Sequence, residues 1–122
     1  MIIQNAKVFD PSGVFTQRDI FVEGENIVET TGSNSIMDAE GCYAIPGRID
    51  IHQHGCVRQD YSFTDAAGLS AMAEYQAGQG ITAICATLLT LPESELAAAC
   101  ALAADHTGPG AAIAGINLEG PF

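Results

Sequence analysis

Ile45-Pro46-Gly47-Arg48-Ile49-Asp50-Ile51-His52-Gln53-His54-Gly55 divides the chain into two kinds of sequence. Upstream, apolar residues come in short alternating runs broken by turn residues; downstream they come in aliphatic runs separated by helical spacing. Met1 to Phe9 alternates loosely, and Asp10-Pro11-Ser12-Gly13 reads as a turn. Asp19 to Val22 and Asn26 to Glu29 flank Glu23-Gly24-Glu25 as a hairpin would. Ser35 to Ala39 and Cys42 to Ile45 add two more extended pieces. Residues 1–46 therefore read as a small antiparallel β unit, part of a sandwich whose aliphatic positions lack a partner sheet within the segment.

From Gly47 the order becomes strand, helix, strand, helix, strand. Arg48 to His54 is the first strand, and Ala66 to Ala77 a helix capped by Thr64 or Asp65 and stopped by Gly78 and Gly80. Ile81 to Leu89 is a β-branched second strand. Thr90-Leu91-Pro92-Glu93 has the form of a capping box opening a helix from Leu91 to His106, which Gly108-Pro109-Gly110 ends. Ala112 to Leu118 is the third strand. Strands recurring about every 30 residues fit parallel βαβαβ units with right-handed crossovers.

Side chains alternate along a strand, so His52 and His54 share one face at its C-terminal end, with Ile49 and Ile51 expected on the opposite, helix-covered face. Two neutral imidazoles so placed can share a metal ion; the plainer alternative is a pair of solvated histidines. By the same alternation Glu119 and Asn117 point one way at the end of the third strand, while Ile116 and Leu118 point into the helix layer. Two histidines and a glutamate form a catalytic zinc set, although a lone acid before Gly120-Pro121 is ordinarily just solvated. Asp50 is a candidate for orienting His52 by a hydrogen bond, or equally an inward polar group near the sheet floor. Cys56 reads as an incidental thiol more readily than as a ligand, and His106 as a helix-end cation interacting with the dipole.

The combination of motifs resembles a known family. Asp38-Ala39-Glu40-Gly41 leading into Ile45 to Gly55 is similar to the sandwich-to-barrel transition of the amidohydrolase superfamily. Leu118-Glu119-Gly120-Pro121-Phe122, with Gly80-Ile81-Thr82 and Ala86 to Thr90 between, resembles the N-acetylglucosamine-6-phosphate deacetylases. The resemblance implies an α/β fold: a partial β-sandwich in 1–46, then in 47–122 the first three strands and two helices of a metal-dependent (β/α)8 TIM barrel, truncated. It implies that Glu119 binds the catalytic divalent metal, zinc foremost with iron or another divalent ion as alternatives. His52 and His54 match a pair that holds a second ion in some members. Two further histidine ligands and the aspartate that serves as general acid and base lie downstream in the family, so residues 1–122 alone are expected to be inactive. The reaction implied is hydrolysis of the acetamide of N-acetylglucosamine-6-phosphate to glucosamine-6-phosphate and acetate. Two other readings stand beside it: an amidohydrolase acting on a cyclic ureide or another acylated amine, and a noncatalytic assembly module complementing a separate remainder.

Length and composition constrain these readings. The chain has 122 residues, 48% of them hydrophobic, and a closed eight-unit barrel needs about 250. Four Lys and Arg against 15 Asp and Glu leave a formal charge of −11, which is inconsistent with nucleic-acid binding and disfavours anionic membranes. No apolar run reaches the roughly 20 residues of a membrane span and no signal-like start is present, so a cytoplasmic protein is expected. Cys42, Cys56, Cys85 and Cys100 are scattered without a CxxC pair, as reduced thiols are. Lys7, Arg18, Arg48 and Arg58 are few for a phosphosugar, whose cations are expected from other chain or another subunit. Open edges on three parallel strands favour association, as a homo-oligomer or with a missing barrel portion.

Overall fold

A computed structural model describes residues 1–121. The chain divides into two compact units, Met1–Pro46 and Gly47–Phe122. In the first, β1 (Ile2–Phe9) and β2 (Phe15–Glu23) form an antiparallel hairpin. Asp10 builds the turn: its carbonyl accepts from Gly13 and its carboxylate from the Ser12 amide, which holds that carboxyl below its ordinary pKa. β3 (Asn26–Val28) adds antiparallel to β2.

The expectation of an all-antiparallel unit fails at β4 (Ile36–Asp38) and β5 (Tyr43–Ala44), which both pair parallel to β1. β3 already occupies the free edge of β2, so the chain returns to the start of β1 and runs beside it from Ile2 onward. β1 carries a bulge at Asn5, whose φ is +65°. The Asn5 amide group donates to Asp38 at 2.9 Å and its backbone N–H to Asp19 at 3.2 Å, so both neighbouring strands grip the bulge. The described residues of this unit form a single five-stranded sheet.

The second unit follows the expected order: β6 (Arg48–Gln53), α1 (Ala66–Gly78), β7 (Ile81–Leu88), α2 (Glu93–Ala104) and β8 (Ala112–Leu118). The three strands are parallel in the order β6-β7-β8. Asp65 caps α1, accepting from the Gly68 amide at 2.8 Å. Gly68, Leu69, Met72, Ala73 and Gln76 recur at helical spacing and are buried. Leu69 and Met72 meet Ile84, Ala86 and Leu88 of β7 in one core with Leu96, Ala99 and Ala103 of α2.

Three sequence expectations fail in this unit. The capping box does not form: Pro92 is extended and is the N-cap with no side-chain bond, α2 starts at Glu93, and the Thr90 hydroxyl donates to the Glu119 carbonyl at 3.3 Å. α2 also ends at Ala104, leaving His106 beyond it. Ile49 and Ile51 are not covered by helices but 65% and 72% exposed. The β6 register departs from strict alternation, pairing Asp50 with Ile84 and Gln53 with Ala86, both core residues of β7, so the polar side chains take the helix-facing places.

Gly110, at φ +105°, has no room for a side chain: a Cβ there would lie 2.4 Å from the Ala73 carbonyl carbon. Gly78, in α1, faces open space. Gly110→Ala is therefore expected to lower stability by about 2 kcal/mol or more and Gly78→Ala to raise it by up to about 1 kcal/mol. Urea unfolding midpoints of the two variants check both signs.

Candidate metal centre

The C-terminal ends of β6 and β8 deliver three donors to one place. Oε1 of Glu119 lies 3.2 Å from Nε2 of His52 and 3.3 Å from Nε2 of His54. The imidazoles meet edge to face with centroids 5.4 Å apart. All three side chains are partly exposed, at 55% for His52, 38% for His54 and 36% for Glu119. Each is anchored through its main chain. Glu119 donates its N–H to the Leu88 carbonyl at 3.1 Å, the His54 carbonyl accepts from Tyr61 at 2.8 Å, and the His52 amide ends on Asp50 at 3.1 Å.

The donor set suits a divalent ion. Ligand atoms of a tetrahedral centre with bonds of about 2.05 Å stand roughly 3.3 Å apart, the spacing of the two histidine–Glu119 contacts, and all three donors lie within 4.8 Å of one another. As hydrogen bonds to Glu119 these contacts need the imidazole proton on Nε2; as metal ligands they need it on Nδ1. His52 Nδ1 lies 3.2 Å from the Asn117 side-chain amide, while His54 Nδ1 is buried with no partner among the described residues.

The other singled-out residues fall outside this cluster. Asp50 bonds the His52 main chain instead of its ring, and its second oxygen accepts from the Gln53 side chain at 3.1 Å. Cys56 turns its sulfur toward the Met72 carbonyl, and burial raises its pKa against an opposing hydrogen bond from Gln76. His106 has a buried Nε2 without a partner among the described residues. Phe122, the last residue of the Leu118 motif, lies outside the described residues. Sequence reading missed Thr87 and Gln76, both buried in this region. Their signal was a polar residue at a core position: Thr87 stands between Ala86 and Leu88 in an apolar strand.

Comparison with known proteins follows the same lines. No protein-family model matches the chain. It is 41% identical over 81 residues to an N-acetylglucosamine-6-phosphate deacetylase of Vibrio furnissii, a match covering 64% of the chain and 20% of the relative. It is 38% identical over 60 residues to a dihydroorotase of Streptococcus thermophilus, covering 44% of the chain and 14% of the relative. The crystal structure of N-acetylglucosamine-6-phosphate deacetylase from Pasteurella multocida superposes with a TM-score of 0.83 at 20% identity, covering 99% of the chain and 34% of that protein. The chain thus spans a fifth or less of these curated relatives and about a third of that structure.

Fold, donor set and relatives together make this an amidohydrolase-like chain. Among amidohydrolases it resembles N-acetylglucosamine-6-phosphate deacetylases in sequence and shares their fold.

Tyr61, just past the histidines, is 2% exposed and its hydroxyl has no partner among the described residues. Burial, with Cys56 and Asp50 adding like charge, pushes its pKa up to about 12. The folded state therefore holds the phenolic proton more tightly than the unfolded chain. Stability is expected to be intact below pH 10 and to fall as pH rises toward 12. Chemical denaturation across that range should show Tyr61→Phe with a shallower alkaline decline and no loss at neutral pH.

Proposed function

We propose that residues 47–122 are the first βα units of a metal-dependent (β/α)8 amidohydrolase, preceded in 1–46 by part of a β-sandwich. The reaction we assign is removal of the acetyl group from N-acetylglucosamine-6-phosphate, giving glucosamine-6-phosphate and acetate. The observation that carries this reading is the convergence of His52, His54 and Glu119 on strand ends, 67 residues apart in the chain at most and within 4.8 Å in space. The identity to the Vibrio furnissii deacetylase supports the choice of substrate.

When bound, a divalent ion, zinc foremost, supplies Lewis acidity toward the acetamide carbonyl and activates water for attack. His52 and His54 would offer it neutral Nε2 lone pairs, and Glu119 a carboxylate charge. Asn117 Nδ2 faces His52 Nδ1 in the structure; with the amide flipped so that its oxygen faces the ring, Asn117 would accept the Nδ1 proton and leave Nε2 free. The general acid and base and two more histidine ligands are assigned by the family resemblance to later strands, so residues 1–122 alone are inactive on this reading. Phosphate recognition is assigned elsewhere too, since the Arg48 guanidinium is already engaged by the Gln79 carbonyl. The reading places the enzyme in the cytoplasm, with the open sheet edges meeting further barrel strands or another copy.

The dihydroorotase match favours a second reading, hydrolysis of a cyclic ureide-type amide. Acetate release from N-acetylglucosamine-6-phosphate by the protein of the complete reading frame, with no ring opening of a cyclic ureide, supports the first; the reverse pattern replaces it. For the metal, His52→Ala and Glu119→Gln are each expected to weaken zinc binding at neutral pH by tenfold or more, measured by chelator competition. Unchanged zinc affinity in both would remove the metal centre from the proposal.

A further inference from the structure

The slip in the β6 register leaves main-chain groups that the strand ladder does not serve. Between Asp50 and Gln53, β6 advances three residues while β7 advances two, from Ile84 to Ala86. The surplus residue falls at Ile51 and His52, inside the histidine motif. Two consecutive amides there end on side-chain oxygens instead of strand carbonyls. The His52 amide goes to Asp50 Oδ1 at 3.1 Å and the Gln53 amide to Thr87 Oγ1 at 3.1 Å. The Thr87 hydroxyl in turn reaches the Cys85 carbonyl at 3.5 Å.

Thr87 is completely buried, so its hydroxyl oxygen is the acceptor within reach of the Gln53 amide with no water to replace it. On the helix side, the Gln53 side chain is held between Asp50 and the buried Gln76 of α1. Gln53 is therefore fastened at its main chain by β7 and at its side chain by α1, directly between the two histidines. A one-residue slip of β6 would reverse the faces of its side chains and carry the imidazoles away from Glu119.

We propose that Thr87 is a positioning residue of the metal centre: its hydroxyl replaces the ladder bond missing at the bulge and so sets the strand phase in which both His52 and His54 reach Glu119. This rests on the metal-centre reading above. Thr87 touches neither metal nor substrate. Its effect on the site passes through the Gln53 main chain.

The test compares Thr87→Val, which keeps the shape and removes the hydroxyl, with Thr87→Ser, which keeps the hydroxyl; His52→Ala is the control. Zinc affinity is read by chelator competition, and hydrogen exchange at the Gln53 amide is read in metal-free protein. The expected result is a 10- to 100-fold loss of zinc affinity in Thr87→Val, the range typical when a ligand's supporting partner is removed. Gln53 amide exchange should be faster in the same variant, and Thr87→Ser should stay within about threefold of the parent in both readouts. The proposal is overturned if Thr87→Val binds zinc like the parent while His52→Ala does not, or if Thr87→Ser loses as much as Thr87→Val. Should Thr87→Val fail to fold, Thr87→Ser decides: retained zinc affinity and Gln53 protection support the proposal, and a tenfold loss overturns it. If His52→Ala leaves zinc binding unchanged, the metal centre itself is wrong and the positioning role falls with it, whereas failure at Thr87 alone leaves the centre standing.

Discussion

The phase of β6 on β7 is the constraint on which the strand ends depend. A parallel ladder admits a small set of registers, and each assigns the residues of β6 to one face or the other. Here the ladder slips twice along β6, which turns Asp50 and Gln53 toward the helices and leaves Ile49 and Ile51 on the open face. The same slip lets His52 and His54 bring their Nε2 atoms to a single carboxylate oxygen. Exposed isoleucines and converging imidazoles are thus two results of one backbone event.

Different interactions hold the sheet together and choose its phase. Leu69, Met72, Ile84 and Leu88 are fully buried, each contributing roughly 1.5–3 kcal/mol by leaving water. That is enough to dock α1 on β7, but hydrophobic burial is nondirectional and does not by itself select among registers. The hydrogen bonds of Asp50, Thr87, Gln53 and Gln76 are individually smaller, about 1 kcal/mol net, yet leaving one buried partner unpaired costs more than forming it gains. Directionality, with that asymmetry, makes the polar network under the histidines the selector.

Much of this was legible in the residues. The strand and helix order after Gly47 followed from apolar spacing and stop signals, and β8 begins and ends where the pattern places it, at Ala112 and Leu118. His52, His54 and Glu119 could be singled out because strand alternation places side chains without any knowledge of partners. What alternation cannot carry is a bulge: the slip at Ile51 and His52 arises from pairing with β7, a long-range event, and so the faces of Asp50, Ile49 and Ile51 were misassigned. The capping box failed for a related reason. Thr90 had a local partner on offer in the first turn of α2, and a more distant one, the Glu119 carbonyl, took its hydroxyl instead. In the N-terminal unit, strand pairing in parallel with β1 depended on which edge was still free, information absent from any single segment.

Charge separates what the chain can do for a metal from what it can do for a phosphate. From Gly47 onward its only Lys or Arg side chains are Arg48 and Arg58, and Arg48 is bound to the Gln79 carbonyl. An acidic surround raises the local concentration of divalent cations and lowers that of dianions by the same field. On the proposed reading, the chain's net charge of −11 favours loading of the His52, His54 and Glu119 donors and works against a phosphosugar approaching them. The two requirements are compatible only if the phosphate is gripped by cations far enough from Glu119 that screening, with a Debye length near 8 Å at physiological salt, separates the two fields. On the proposed reading, a substrate whose reactive amide and phosphate lie at opposite ends meets that condition, and a compact anion would not.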